Sequence, residues 1–126
     1  MLRYAIDEQL GLVVVSASET VNAAQLLVLR QQVKDDPDYD HRWPVLIDLS
    51  GASALDFSAA DLRNLAASAI THPSARQAIV VSSELGFGLA RMFATFSAVS
   101  THSENVRVFR STQEAQSWVL SALNRR

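Results

Sequence analysis

Residues 45–62 read VLIDLSGASALDFSAADL, and this stretch decides the fold. Its first five residues are apolar apart from Asp48, and the run is too short for a helix. An apolar run of this length is typical of a strand that other elements cover on both faces, as in a parallel sheet. Ser58 is followed three residues later by Asp61, which is the spacing of a capping box at a helix start. The stretch therefore predicts a strand at the centre of a sheet and then a helix.

Toward the carboxyl terminus, the alternation of strand and helix continues. The helix after Ser58 is expected to end before His72-Pro73, and a second buried strand follows at 78–81. A third helix opens at Ser83, and the last elements are a strand at 106–109 and a helix behind the capping box STQE. Apolar residues of the third helix recur at steps of three and four, which predicts one core-facing stripe of Leu85, Leu89, Met92, Phe93, Phe96 and Val99.

Toward the amino terminus, two β-prone runs at 4–6 and 12–17 precede the first helix. Gly11 between them can adopt the positive φ that a tight connection needs, so an opening hairpin is expected. Asn22 and Gln25 have capping-box spacing, which predicts a helix from about Ala23 to Lys34.

The resulting order is ββαβαβαβα. Strands separated by single helices favour parallel pairing, and the opening hairpin adds an antiparallel edge. No linker or repeat divides the chain. The sequence therefore predicts one α/β domain over residues 1–126, a mixed and mostly parallel sheet flanked by helices.

Composition excludes several classes of function. Eleven basic and thirteen acidic residues leave a net charge of −2, which provides no field for attracting nucleic acid. The absence of cysteine excludes disulfides, thiolate metal sites and a cysteine nucleophile. No window approaches eighteen uncharged apolar residues, and the first residues do not resemble a signal peptide. We expect a cytoplasmic protein that is not integral to a membrane.

No pattern identifies a catalytic or metal site. The acidic loop at 35–40 departs from the calcium-loop template because, counting from Asp36, His41 and Ile47 stand where the template needs glycine and glutamate. The histidines have no partner at ligand spacing, and no Gly-x-Ser-x-Gly turn for a serine nucleophile is present. We therefore expect no metal, no cofactor, no catalytic residue and no enzymatic activity.

Two further groups of residues allow either a structural or a binding role. Residues 86–91 read GFGLAR after a strand, a setting in which backbone amides can hold an anion, but Arg91 replaces the last glycine of a dinucleotide fingerprint. The alternative is that the glycines let the helix start close to the sheet. Asp56 and Ser58 similarly serve either as a binding turn or as a helix cap with a favourably placed carboxylate.

The stretches VLIDLS at 45–50 and DFSA at 56–59 resemble the STAS domain, named for sulfate transporters and anti-sigma factor antagonists. In that family a strand ending in Asp-Leu-Ser precedes a helix opened by Asp-Ser-Ser-Gly, whose first serine is the phosphorylated switch residue. Asp56 and Ser58 match the aspartate and the second serine, whereas Phe57 occupies the phosphoacceptor position. The resemblance implies a STAS-like fold without the usual phosphoserine switch.

A second resemblance, from Tyr4 to about Leu120, is to divergent STAS-like bacterial proteins grouped with SEC14-type lipid-binding domains. It rests on the strand at 78–81, on FGLARMF at 87–93 and on residues 106–119. These motifs are structural, so the resemblance supports the fold and suggests an apolar ligand.

Two functions follow from these resemblances. The leading hypothesis is a non-catalytic interaction or regulatory module that binds a protein partner or itself, for example as a homodimer, around the turn from Asp56 to Asp61. The alternative is a carrier or sensor of a small apolar ligand or lipid, in a cavity partly lined by Leu85, Phe87, Leu89, Met92, Phe93 and Phe96. The binding residues expected across both hypotheses are Asp56, Phe57, Ser58, Asp61, Phe87 and Arg91.

Overall fold

Seven strands and four helices alternate along residues 1–123, the part of the chain that this computed structural model describes; side chains are described as far as Ser121. The predicted domain also included residues 124–126, which lie outside the described residues. The elements are β1 (Leu2–Asp7), β2 (Leu12–Ala17), β3 (Glu19–Asn22), α1 (Ala23–Asp35), β4 (Val45–Asp48), β5 (Ala52–Asp56), α2 (Ala59–Ala67), β6 (Gln77–Val80), α3 (Glu84–Ser100), β7 (Val106–Phe109) and α4 (Thr112–Leu123).

The main sheet has five strands in the order β1-β2-β4-β6-β7. β1 pairs antiparallel with β2, and the remaining neighbours pair parallel. Gly11 has a φ of 69°, as the tight connection between β1 and β2 requires. The sheet is thus mixed and mostly parallel, with β4 in the middle and β6 beside it. This architecture confirms the predicted fold class and the predicted central strand.

Two short strands add to the predicted order. β3 and β5 pair parallel in a separate two-stranded sheet beside the main one. They could not be predicted from the sequence, because Val21 is their fully buried residue and most of their other side chains are exposed. Strands without a buried face lack the apolar alternation by which strands are recognised.

Helices cover the two faces of the sheet unequally. α1, α2 and α3 pack on the face that carries Val13, Val15, Ile47 and Ile79. The opposite face is covered by α4, through Ala115 and Val119 against a cluster of Leu12, Leu46, Ala78 and Val80. The three-helix side is therefore the thicker half of the molecule.

The predicted core face of α3 was wrong in part. Its buried residues are Gly86, Ala90, Phe93 and Ser97, whereas Leu85, Met92 and Val99 are 69%, 38% and 74% exposed. The pattern was ambiguous because α3 has only two charged residues, Glu84 and Arg91, so apolar side chains lie on more than one face. Gly86 settles the orientation: a Cβ there would lie 3.1 Å from Leu55 and 3.4 Å from Val81.

Candidate functional site

A cavity of about 110 Å³ lies between the main sheet and helices α1, α2 and α3. Apolar side chains form most of its wall. From the sheet these include Val15, Ile47 and Ile79, and from the helices Leu29, Leu65 and Phe93. The polar side chains among its described lining residues are Arg30, Thr71 and Gln77.

These three polar residues lie at one end of the cavity. Gln77 is the first residue of β6, Thr71 belongs to the loop before it, and Arg30 lies in the second half of α1, which runs back toward the amino ends of the strands. At the carboxyl ends of the strands, the cavity is lined by Phe57 and Leu89. The cavity thus has a polar end and an apolar end.

Arg30 connects α1 to the end of α2. Its Nη1 donates to the carbonyl oxygen of Leu65 at 2.7 Å and to Oγ of Ser68 at 3.3 Å. The last carbonyls of a helix have no partner within the helix, so this arginine caps α2. Burial lowers the pKa of Arg30 to about 10, because removal from water disfavours the charged form.

Tyr39 packs beside the cavity and has an unusual hydroxyl. Its ring packs against the cluster of Val13, Leu29 and Val33, whose members line the cavity. The hydroxyl is buried and has no hydrogen-bond partner within residues 1–123. Burial raises the pKa of Tyr39 to about 12; the charge of Asp40 adds to this rise and the charge of Arg30 opposes it.

The third polar group at this end is internally satisfied. Gln77 is 7% exposed, and its Nε2 donates to Oγ1 of Thr71 at 2.9 Å. This bond fixes the loop that leads into β6 and holds Thr71 at the cavity wall. Arg30, Thr71, Gln77 and Tyr39 were not among the residues predicted from the sequence. The one available signal was that Arg30 interrupts the apolar spacing of Leu26, Leu29 and Val33.

The predicted turn forms a complete capping box. Oγ of Ser58 accepts from the backbone nitrogen of Asp61 at 3.0 Å, and Oδ2 of Asp61 accepts from the nitrogen of Ser58 at 2.9 Å. Asp56 ends β5 with an exposed side chain. Phe57 points inward and lines the cavity. Of the four predicted turn residues, the structure therefore brings Phe57 to the cavity.

Phe87 and Arg91 lie outside the cavity wall. The Arg110 guanidinium stands 4.1 Å from the centre of the Phe87 ring, and that of Arg91 stands 6.0 Å away. Arg110 also pairs with Glu84, which lowers the pKa of that exposed carboxyl. Of the cavity residues predicted on α3, Leu89 and Phe93 line the cavity.

Two negative findings hold for the described part of the chain. No three His, Asp or Glu side chains there lie close enough to hold a metal ion. In the acidic loop, Oδ2 of Asp36 accepts instead from the Tyr4 hydroxyl at 3.0 Å. No described helix has the length and apolar character needed to cross a membrane.

Comparison with known proteins identifies the fold. The structure is similar to that of an uncharacterized protein of the DUF3478 family with a SpoIIAA-like fold from Shewanella loihica PV-4, with a TM-score of 0.59. The two chains are 17% identical, and the match covers 94% of this chain and 93% of the other. No family model and no curated protein matches the sequence. The chain therefore has a SpoIIAA-like, that is STAS-like, fold, as the resemblance implied.

Proposed function

We propose that this chain is a non-catalytic STAS-like binding module, a carrier or sensor that holds a small apolar molecule between its sheet and helices α1 to α3. The observation that supports this proposal is the cavity of about 110 Å³ with a mostly apolar wall. Of the two functions inferred from the sequence, the cavity favours the ligand-binding one. Leu89 and Phe93, which belonged to that hypothesis, line the cavity.

The size and chemistry of the cavity suit a small apolar guest. Engineered apolar cavities of roughly 150 Å³ stay dry and bind benzene or xenon. The residues around an empty cavity of about 110 Å³ lack packing contacts on one side, which weakens the folded state. A bound apolar molecule restores those contacts and removes apolar surface from water.

The experiment is a titration with 1-pentanol, a neutral probe with an apolar tail, monitored through the amide NMR spectrum. We expect saturable shifts at residues around the cavity, such as Leu65 and Ile79. The matched control is Ala90→Leu, because Ala90 is 7% exposed and lines the cavity, so a larger side chain there occupies the space. Equal shifts in both proteins, or shifts scattered over the surface, would count against the proposal.

A second candidate function, the interaction module expected from the sequence, is supported by the outer face of α3. We propose that this face mediates self-association through Leu85, Met92 and Val99, which are exposed and spaced by seven residues. A two-fold axis at Met92 brings Leu85 against Val99 of a second copy, which makes the stripe self-complementary. The first turn of α3 adjoins β5, because a Cβ at Gly86 would lie 3.1 Å from Leu55.

Sedimentation at several protein concentrations tests this second function. Three side chains supply only part of the roughly 800 Å² that each partner of a stable complex buries, so we expect a weak dimer. Met92→Glu places a charge on the axis and should leave a monomer, while Leu120→Glu, on the exposed part of α4, should not change association. A wild-type protein that stays monomeric at millimolar concentration would exclude this interface.

A further inference from the structure

We propose that the ligand of the cavity carries a carboxylate, which Arg30 and the hydroxyl of Tyr39 bind at the polar end while the apolar part of the molecule lies among the side chains of the sheet and helices. This inference rests on the proposed ligand-binding function and specifies the chemical class of the ligand. It makes the ligand a small carboxylic acid with a short apolar tail.

The first argument is the hydrogen-bonding capacity of Arg30. A guanidinium has five N–H donors, and this side chain bonds to Leu65 and Ser68 through Nη1. Within residues 1–123, Nε and Nη2 have no protein acceptor. These two nitrogens form the edge that binds a carboxylate through two parallel hydrogen bonds. Arg30 thus caps α2 with one nitrogen and retains the edge suited to an anion.

The second argument is the hydroxyl of Tyr39. Buried polar groups in folded proteins are almost always hydrogen-bonded, so a buried hydroxyl without a partner requires an explanation. The ring of Tyr39 packs against the cluster of Val13, Leu29 and Val33, and these three residues line the cavity together with Arg30. A carboxylate held by Arg30 offers further lone pairs, and the Tyr39 hydroxyl can donate to one of them.

The third argument is the charge of the polar end. Arg30 is the single cation among the described lining residues, and no lining residue is acidic. The carboxylate of Asp40, which acts on Tyr39, is itself bound by Arg42, with Oδ2 3.2 Å from Nη2. The single positive charge of Arg30 is balanced by a ligand with one negative charge. A carboxylate meets this condition, whereas one charge of a doubly charged phosphate would remain without a buried counter-ion.

The test compares pentanoate with 1-pentanol at neutral pH, by titration calorimetry and NMR, in wild type and three variants. Tyr39→Phe removes the orphaned hydroxyl alone, and Arg30→Lys keeps the charge but lacks the planar edge. Tyr4→Phe is the matched control, because it removes a hydroxyl that already has a hydrogen-bond partner, Asp36. Tyr39→Phe and Tyr4→Phe each remove one hydroxyl, and Arg30→Lys keeps a cation near the end of α2; the NMR spectrum checks that all three variants are folded.

We expect pentanoate to bind wild type about tenfold more tightly than 1-pentanol. Tyr39→Phe and Arg30→Lys should each weaken pentanoate binding at least fivefold and leave 1-pentanol binding within twofold. The control Tyr4→Phe should not weaken pentanoate binding. If both probes bind equally, or if pentanoate binding is insensitive to both variants, the carboxylate proposal is wrong while the cavity remains a neutral-ligand site. If neither probe binds wild type, both proposals are wrong.

Discussion

Tyr39 shows most clearly how a single residue can serve binding at the expense of stability. A buried hydroxyl that has lost its water and gained no partner destabilises the folded state by about 1 to 3 kcal/mol. A phenylalanine would fill the same space against Leu29 and Val33 without this cost. Residues that weaken the fold in this way are expected at functional sites.

Tyr39→Phe should therefore leave the free energy of unfolding unchanged or raise it by up to about 1 kcal/mol in the absence of ligand. Tyr4→Phe should lower it by about 0.5 to 1 kcal/mol, because it removes the hydrogen bond to Asp36. Urea denaturation of the two variants provides the comparison. A loss of more than about 1 kcal/mol in Tyr39→Phe would show that the hydroxyl has a partner.

The ionisation of Tyr39 gives a second check at this scale. Its pKa is raised to about 12, whereas an unfolded tyrosine ionises near pH 10, so the folded chain retains a proton that the unfolded chain releases between these values. This tyrosine's contribution to stability is present below pH 10 and declines as the pH rises toward 12. In Tyr4→Phe, ultraviolet absorbance should show about one tenth of the remaining tyrosine ionised at pH 11. A midpoint near pH 10 would place Tyr39 in contact with water.

At the scale of elements, a reciprocal pair of hydrogen bonds stabilises the start of α2, the turn at which the sequence departs from the STAS phosphorylation motif. Ser58 and Asp61 satisfy each other's backbone nitrogens, and Phe57 packs inward. A phenylalanine cannot accept phosphate, so we propose that this turn acts as a cap and not as a phosphoserine switch.

Ser58→Ala should lower the free energy of unfolding by about 1 kcal/mol, while Ser58→Asp should be nearly neutral because aspartate also caps. Ser83→Ala is the comparator, since Oγ of Ser83 accepts from Gly86 at 3.0 Å in a one-sided cap. Thermal denaturation measures the three changes. If Ser58→Asp abolished an interaction that Ser58→Ala preserves, with both variants folded, a phosphorylation switch would replace the capping interpretation.

The two apolar faces of α3 differ in what they stabilise. Phe93→Ala, on the inner face, should cost about 3 to 5 kcal/mol, because it removes a buried ring and enlarges the cavity. Val99→Ala, on the outer face, should cost less than about 0.5 kcal/mol, because that side chain is 74% exposed in the monomer. Denaturant titration at low protein concentration separates the two; comparable losses would mean that the outer face is buried.

At the scale of the whole molecule, the main sheet could be predicted from the sequence and the polar end of the cavity could not. The strands at 45–48 and 77–80 are short apolar runs between helices, and such runs are recognisable locally. Arg30, Thr71 and Gln77 come from a helix, a loop and a strand, and only the folded arrangement brings them together. The buried face of α3 could not be predicted either, because it depends on the fit of Gly86 against Leu55 and Val81.

The cavity also affects the stability of the whole domain. Ala90→Leu should raise the free energy of unfolding by about 0.5 to 2 kcal/mol, because the added carbons fill space that is already apolar. The same change should abolish binding of 1-pentanol. A destabilisation greater than about 1 kcal/mol would indicate overpacking, and hence a core with no room for a guest.

The most direct test of the central claim is the electron density of a crystal pressurised with xenon, an atom that enters dry apolar cavities. The account predicts a xenon peak between the sheet and helices α1 to α3, in contact with Leu65, Ile79 and Phe93, and no such peak in Ala90→Leu. If the wild-type crystal showed side chains packed through this space and no xenon there, the cavity would not exist as described and the ligand-binding function would be contradicted.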